Sequence, residues 1–117
     1  MSSKLYTVTV DCSDPARLAD FWGEVLGYRR GFESDEEVEI EAPDGSGATV
    51  LFLKAPDTKT VKNRIHFDLD PDDQEAEVER CLALGARRAD IGQSDVNWVV
   101  LADPEGNEFC ILTPRTD

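Results

Sequence analysis

The chain has 117 residues, enough for one domain that buries a core without disulfides or a structural metal. Its 40% hydrophobic content predicts a globular protein, and no apolar run approaches the roughly 20 residues that span a bilayer. We therefore expect no membrane, and since the net charge of -13 repels phosphate backbones, we expect no nucleic-acid partner either. The N-terminal residues lack the apolar core of a signal peptide, and we therefore expect a cytoplasmic protein.

The cysteines are odd in number and far apart: Cys12, Cys81 and Cys110. No CxxC pair occurs, which argues against a zinc knuckle and against a thioredoxin-like redox motif. We expect all three cysteines to be buried, reduced thiols.

The first half of the chain predicts a strand, a helix and three further strands. Leu5–Cys12 has the alternation of a strand, and Asp14 followed by Pro15 supplies a helix start. Gly27 is placed to end that helix in the left-handed conformation. The apolar stripe of the helix consists of Leu18, Phe21, Trp22, Val25 and Leu26. The later strands are predicted at Tyr28–Glu33, Glu37–Glu41 and Thr49–Lys54.

The second half repeats this order after a linker at Ala55–Lys62. Asn63–Asp70 alternates apolar and polar residues, which predicts a strand with one face in a core and one polar face carrying His66, the chain's single histidine. A second helix is predicted to start at Pro71-Asp72-Asp73 and to end at Gly85. The remaining strands are predicted at Ala86–Ile91, Trp98–Ala102 and Glu108–Leu112, with a turn at Asp103–Asn107 before the last of them.

The two halves match at a constant offset. Leu26-Gly27 and Leu84-Gly85 lie 58 positions apart (84 minus 26), and Asp14 and Asp72 have the same separation. One unit of strand, helix and three strands cannot cover its own apolar sheet face, whereas two such units can curl around a shared concavity. The duplication therefore predicts a cavity formed by the pair.

The chain resembles the vicinal oxygen chelate superfamily, and within it the glyoxalase-like and bleomycin-resistance-like branch. The motifs on which the resemblance is based are Val10-Asp11-Cys12-Ser13-Asp14-Pro15, Phe21-Trp22, Leu26-Gly27-Tyr28, Arg64-Ile65-His66-Phe67-Asp68, Leu84-Gly85-Ala86 and Asp103-Pro104-Glu105-Gly106-Asn107-Glu108-Phe109-Cys110. The resemblance implies an α+β fold in which two βαβββ modules, at about 4–56 and about 63–114, form one curved mixed sheet in a single domain, 1–117.

Metal-dependent members of this superfamily hold a divalent ion with His or Gln, a second His, and Glu, from the first strand of each half and the closing strand. The resemblance places these positions at Thr7, His66 and Cys110. Threonine is a poor ligand, and a divalent site needs about three good ones, so we expect no intrinsic metal or other cofactor. A shifted site that uses His66 with Glu108, Asp68 or Cys110 is the weaker alternative.

Several roles stay open for the polar side chains of this predicted cavity. His66 could act as a general acid or base, could contact a ligand, or could satisfy a buried polar group. Cys110 is expected to line the cavity without reacting, because no second histidine exists to activate its thiol. The residues considered as the lining of a ligand cavity are His66, Cys110, Glu108, Thr7, Phe52, Trp22, Trp98 and Asp68. For Trp22, as for Phe21, a place in the core is the first expectation and a cavity wall is the alternative.

Three functions compete at this level. The first is a metal-free protein that binds or sequesters a small, cationic or aromatic molecule, to which an acidic surface and aromatic walls are suited. The second is an enzyme of lyase, isomerase or dioxygenase type with an atypical site centred on His66. The third is an accessory domain with a vestigial cavity. Because small members often complete their barrels as dimers, a homodimer is expected.

Overall fold

The computed structural model describes residues 2–56, 59–89 and 97–115, and divides the chain into two compact units, Met1–Thr58 and Lys59–Asp117. The first unit contains strand β1 (Thr7–Cys12), helix α1 (Pro15–Leu26), and strands β2 (Arg29–Glu33), β3 (Glu37–Glu41) and β4 (Thr49–Lys54). The second contains β5 (Asp68–Leu69), α2 (Gln74–Leu84), β6 (Arg87–Arg88), β7 (Val99–Ala102) and β8 (Glu108–Ile111).

Both units have the same sheet topology. The first sheet has the order β1-β4-β3-β2 and the second the order β5-β8-β7-β6. In each, the first and last strands of the unit run parallel and the other neighbours run antiparallel. The register repeats as well, since Val8 pairs with Val50 and Asp68 with Cys110, 42 positions apart in both cases (50 minus 8, 110 minus 68). The predicted α+β class and the duplicated βαβββ order are confirmed.

The helices begin and end at the predicted kinds of residue, but the offset between them changes. Asp14 caps α1 by accepting a hydrogen bond from the backbone N–H of Arg17, and Asp73 caps α2 in the same way. The caps are therefore 59 positions apart (73 minus 14), and not 58 as the match of Asp14 to Asp72 predicted. The closing glycines, Gly27 and Gly85, keep the offset of 58 because α2 is one residue shorter than α1.

The core of the first unit lies between α1 and its sheet. The helix packs on β3 and β4, and the buried strand residues are Val38, Ile40, Val50 and Phe52. Trp22 is 3% exposed and meets Phe21 edge to face at 5.2 Å between ring centroids, while Phe52 is fully buried. The structure thus places Trp22 in this core, which is the first expectation for that residue, and places Phe52 there as well, although Phe52 was expected to line the cavity.

The core of the second unit is formed by α2 and one face of the second sheet. Val78 and Cys81 are buried on the helix, and Leu101, Phe109 and Ile111 are fully buried on the strands. Gln74 at the start of α2 donates to the backbone carbonyl of Ile111 at 3.0 Å, which fixes the helix on β8. All three cysteines are free and buried, as predicted. None of the described helices combines the length and apolar character that crossing a bilayer requires.

Two predicted strands of the second unit are much shorter than expected. The strand predicted at Asn63–Asp70 is reduced to Asp68–Leu69, and Ile65, predicted to lie in a core, is 79% exposed. The ladder is interrupted at Glu108, whose backbone N–H donates to the side chain of Asn63 instead of to a neighbouring strand. The strand predicted at Ala86–Ile91 is observed at Arg87–Arg88, and its last two positions fall outside the described residues.

The turn before β8 is organised by a buried carboxylate. Asp103 is 1% exposed, and its Oδ1 accepts hydrogen bonds at 2.9 Å from the backbone N–H groups of Glu105 and Asn107. The side-chain amide of Asn107 donates to both carboxylate oxygens. Gly106 has φ = 90°, a conformation that glycine adopts without strain. The predicted turn is confirmed, and it delivers Glu108 to the start of β8.

Candidate functional site

Helix α2 packs against one face of the sheet of the second unit, and we name the opposite face, which α2 leaves uncovered, the open face. Successive strand residues point to opposite faces, so the neighbours of the buried Phe109 and Ile111, namely Glu108 and Cys110, project from the open face. A cavity of about 310 Å³ lies on this face. It is lined by Lys62, His66, Asp68, Trp98, Val100, Glu108 and Cys110.

Three side chains converge within this cavity. The Nε2 atom of His66 lies 3.1 Å from Oδ1 of Asp68, and Asp68 pairs in the strand register with Cys110. One donor atom from each of these residues lies within 4.8 Å of the other two. His66 and Asp68 are partly exposed, whereas Cys110 is 5% exposed. The trio therefore presents an imidazole and a carboxylate to solvent above a buried thiol.

The thiol of Cys110 is held in its protonated form. Burial raises its pKa above the ordinary value, and the negative charge of Asp68, together with a hydrogen bond from the thiol to that carboxylate, raises it further. The positive charge of Lys62 acts in the opposite direction and is the smaller effect. Since the thiolate is the nucleophilic form, Cys110 is not an activated nucleophile here.

Glu108, the other acidic group on the open face, is already paired. Its Oε2 accepts from Nζ of Lys59 at 3.1 Å, and its Oε1 accepts from the backbone N–H of Asn63 at 3.1 Å. Burial alone would raise the pKa of Glu108, but the hydrogen bond from Asn63 and the lysine outweigh it, so the pKa lies below its ordinary value. Glu108 is therefore ionised at neutral pH, with its charge balanced inside the protein.

The structure brings together five of the eight residues predicted for the cavity: His66, Asp68, Trp98, Glu108 and Cys110. The other three lie in the first unit, where Trp22 and Phe52 are core residues. The hydroxyl of Thr7 donates to the carbonyl of Thr49 at 3.2 Å and accepts from the Thr49 hydroxyl at 2.8 Å. Its hydroxyl hydrogen and one of its two lone pairs are thus used within its own unit.

Lys59, Lys62 and Asn63 are residues of the site that the sequence pattern does not predict. The two lysines belong to a segment that was predicted to be a linker, and Asn63 was assigned to a regular strand. A usable signal existed, because two lysines close together are unusual in a chain with 25 acidic and only 12 basic residues. Such a cluster beside an acidic strand predicts ion pairs.

The residues present do not reproduce the metal site that the resemblance implies. Thr7 is hydrogen-bonded to Thr49, and the glutamate position of the closing strand holds Cys110, a protonated thiol. The nearest glutamate, Glu108, is bound to Lys59 and Asn63 and is not one of the three clustered donors. The local trio is a different set, of nitrogen, oxygen and sulfur, which suits a borderline ion such as zinc or iron(II) better than a hard one.

Comparison with known proteins places the chain in a family. The model of the glyoxalase-like domain matches residues 7–112. A glyoxalase/bleomycin resistance protein/dioxygenase family enzyme from Burkholderia phytofirmans has a similar structure, with a TM-score of 0.74 and 19% identity over 97% of this chain and 100% of that one. No sequence among curated proteins matches the chain.

Two further solved structures have the same fold. The fosfomycin resistance protein FosX of Listeria monocytogenes, in complex with Mn(II) and a dihydroxypropylphosphonic acid, has a TM-score of 0.74 and 16% identity over 98% of this chain and 93% of that one. The oxidase ChaP-H2 has a TM-score of 0.67 and 19% identity over 98% and 96%. At these sequence identities the similarity to the solved structures establishes the fold alone. With its duplicated βαβββ units and the domain match over almost its whole length, the chain belongs to the glyoxalase-like domain family of the vicinal oxygen chelate superfamily.

Proposed function

We propose that the chain binds a small organic cation, preferably an aromatic one, on the open face of its second unit, and that it acts by binding rather than by catalysis. The observation that carries this proposal is the cavity of about 310 Å³ that His66, Asp68 and Trp98 line together. Its volume lies at the lower end of the range for small-molecule sites, roughly 300–1,000 Å³.

The charges around the cavity favour a positively charged ligand. Glu108 is neutralised by Lys59, whereas none of the described lysine and arginine side chains pairs with Asp68. Asp68 therefore offers a carboxylate that a ligand cation can use, in a cavity that the half-buried Trp98 also lines. The net charge of -13 adds a long-range attraction for cations. His66 supplies a hydrogen bond that can orient a polar group of the ligand.

Catalysis by a nucleophile finds little support at this site. The thiol of Cys110 is protonated because its pKa is raised by burial and by Asp68. The single histidine, His66, directs Nε2 to Asp68 at 3.1 Å, and the thiol is hydrogen-bonded to that same carboxylate. Binding, unlike nucleophilic catalysis, needs no reactive group beyond the side chains already present in the cavity.

We expect calorimetric titration with arylalkylammonium ions to show saturable binding that Asp68→Asn weakens about tenfold to a hundredfold, the contribution of a charge-assisted hydrogen bond. Asp35→Asn is the matched control, because Asp35 is exposed in the first unit and should leave the affinity unchanged. Neutral aryl alcohols of the same size should bind more weakly than the cations. Equal affinity for cations and alcohols, or no saturable binding of either, would contradict the proposal.

A second candidate is an enzyme of lyase, isomerase or dioxygenase type with a metal at His66, Asp68 and Cys110. The observation that favours it is the approach of three donor atoms to within 4.8 Å. The Listeria monocytogenes relative in complex with Mn(II) adds support from the family. Against it stands the proton on Cys110, which a metal would have to displace.

Metal analysis separates the two candidates. Under the binding proposal, protein purified without a metal-affinity step should contain far less than one zinc or iron per chain. Addition of zinc chloride should then change the melting temperature of the wild type and of His66→Ala by the same amount. Stoichiometric metal that is lost in both His66→Ala and Cys110→Ser would establish the second candidate instead, because only a shared ion depends on both residues.

A further inference from the structure

The two units differ at the point where the first strand of each meets the last. In the first unit the backbone N–H of Thr49 donates to the carbonyl of Tyr6 at 3.1 Å, one residue before β1. The offset of 59 carries these two residues to Glu108 and Ile65. Two residues further along β8 the second unit has the expected ladder, because the backbone N–H of Cys110 donates to the carbonyl of Phe67 at 2.9 Å. A bond from Glu108 to Ile65 would be the next rung.

A side chain is inserted at that rung. The N–H of Glu108 donates to Oδ1 of Asn63 at 2.9 Å, and Nδ2 of Asn63 donates to the carbonyl of Ile65. The same Nδ2 lies 3.4 Å from the carbonyl of Glu108. A carboxamide has one acceptor and two donors, so it can occupy both backbone groups that would otherwise bond to each other. Asn63 therefore stands between β8 and the segment that carries His66.

Further contacts hold this insertion in place. The backbone N–H of Asn63 donates to the carboxylate of Glu108, which also accepts from Lys59. The Lys59 ammonium donates in addition to the carbonyl of Val61. We name this group the Asn63 clasp, comprising Lys59, Asn63 and Glu108. The side chains of Lys59 and Glu108 are only 19% and 15% exposed, so their ion pair is shielded from solvent.

We propose that Asn63 is the positioning residue of the site: its carboxamide acts as a spacer that ends β5 early and holds His66 against Asp68. Without the spacer, the N–H of Glu108 and the carbonyl of Ile65 lose these partners, and a bond between the two would satisfy both groups. Closing this rung would extend β5 as in the first unit. The Cα atoms of His66 and Asp68 would then be about 6.5–7 Å apart along a regular strand, so the backbone geometry on which their 3.1 Å side-chain contact now rests would change.

The expected fall in ligand affinity rests on the proposed function, whereas the expected change in the position of His66 does not. Because His66 is the only histidine, its imidazole gives one unambiguous set of NMR signals. For Asn63→Ala we expect these signals to shift, the amide of Glu108 to stay protected from hydrogen exchange through its new bond to Ile65, and the affinity for an arylalkylammonium ion to fall about tenfold.

Two other variants keep the experiment decisive. Asn63→Asp retains an acceptor for Glu108 but loses the donor to Ile65, so it should displace the His66 signals as well. Glu108→Gln breaks the ion pair with Lys59 but preserves the bonds to the Asn63 side chain, so its His66 signals should stay close to those of the wild type. Unchanged His66 signals in Asn63→Ala and Asn63→Asp, or rapid exchange of the Glu108 amide in Asn63→Ala, would overturn the proposal. If the wild type binds no cation, the proposed function fails while the NMR signals still test the spacer.

Discussion

Replacing Phe52 with alanine is expected to lower the free energy of unfolding by about 3–5 kcal/mol, the usual cost of removing a large aromatic side chain from a core. Phe52 is fully buried and lies opposite Val38 in the register of β3 and β4, beneath α1. The lost free energy combines the transfer free energy of the removed ring with the cost of a cavity that the strands cannot fill. Urea denaturation followed by circular dichroism measures it.

Phe32→Ala is the matched control for this substitution. Phe32 is 59% exposed in β2, so removing its ring should change the free energy of unfolding by no more than about 0.5 kcal/mol. A loss for Phe52→Ala as small as that of the control would show that the ring is not a core element. Its assignment as a wall of a ligand cavity, expected from the sequence, would then regain support.

Asp103→Ala is expected to destabilise the fold by about 3 kcal/mol, because it removes a buried, charged acceptor and leaves backbone donors without partners. The carboxylate accepts from the N–H groups of Glu105 and Asn107 and from the Asn107 side chain, all within the turn before β8. Asp103→Asn should cost less, since an amide oxygen can still accept some of these bonds. Thermal and urea denaturation of the purified variants provide the measurement.

The control for Asp103 is Asp35→Ala, which removes an exposed carboxylate and should leave stability within about 0.5 kcal/mol of the wild type. Equal stability of Asp103→Ala and Asp35→Ala would show that the turn does not depend on its carboxylate. Because Glu108 follows this turn directly, the loss of Asp103 should also loosen the Asn63 clasp. In exchange measurements the amide of Glu108 should then lose protection along with the turn.

Part of the candidate site was predictable, and part was not. His66, Asp68, Glu108 and Cys110 share the cavity because alternation along strands places them on one sheet face, and alternation is visible in the residue pattern. Lys59 and Asn63 reach the site through side-chain contacts with Glu108 across 49 and 45 positions (108 minus 59, 108 minus 63). No local pattern encodes contacts of that range.

The sequence by itself determined the elements whose signals are local. Capping residues mark the helix starts, at Asp14-Pro15 and near Asp73. The conformational freedom of glycine marks the helix ends, at Gly27 and Gly85. Periodicity predicts the duplicated order of strands. The resemblance to the glyoxalase-like family rested on the same motifs, and the family match over residues 7–112 agrees with it.

Only the tertiary structure decided where β5 begins and which groups remain available on the open face. The alternation in Asn63–Asp70 is that of a strand, yet the carboxamide of Asn63 takes the backbone partners that a longer strand would need. Glu108 looks like a free acid in the sequence, but Lys59 neutralises it and leaves Asp68 to face the cavity. Both outcomes depend on competition between distant polar groups for the same partners, and that competition is resolved only when the chain is folded.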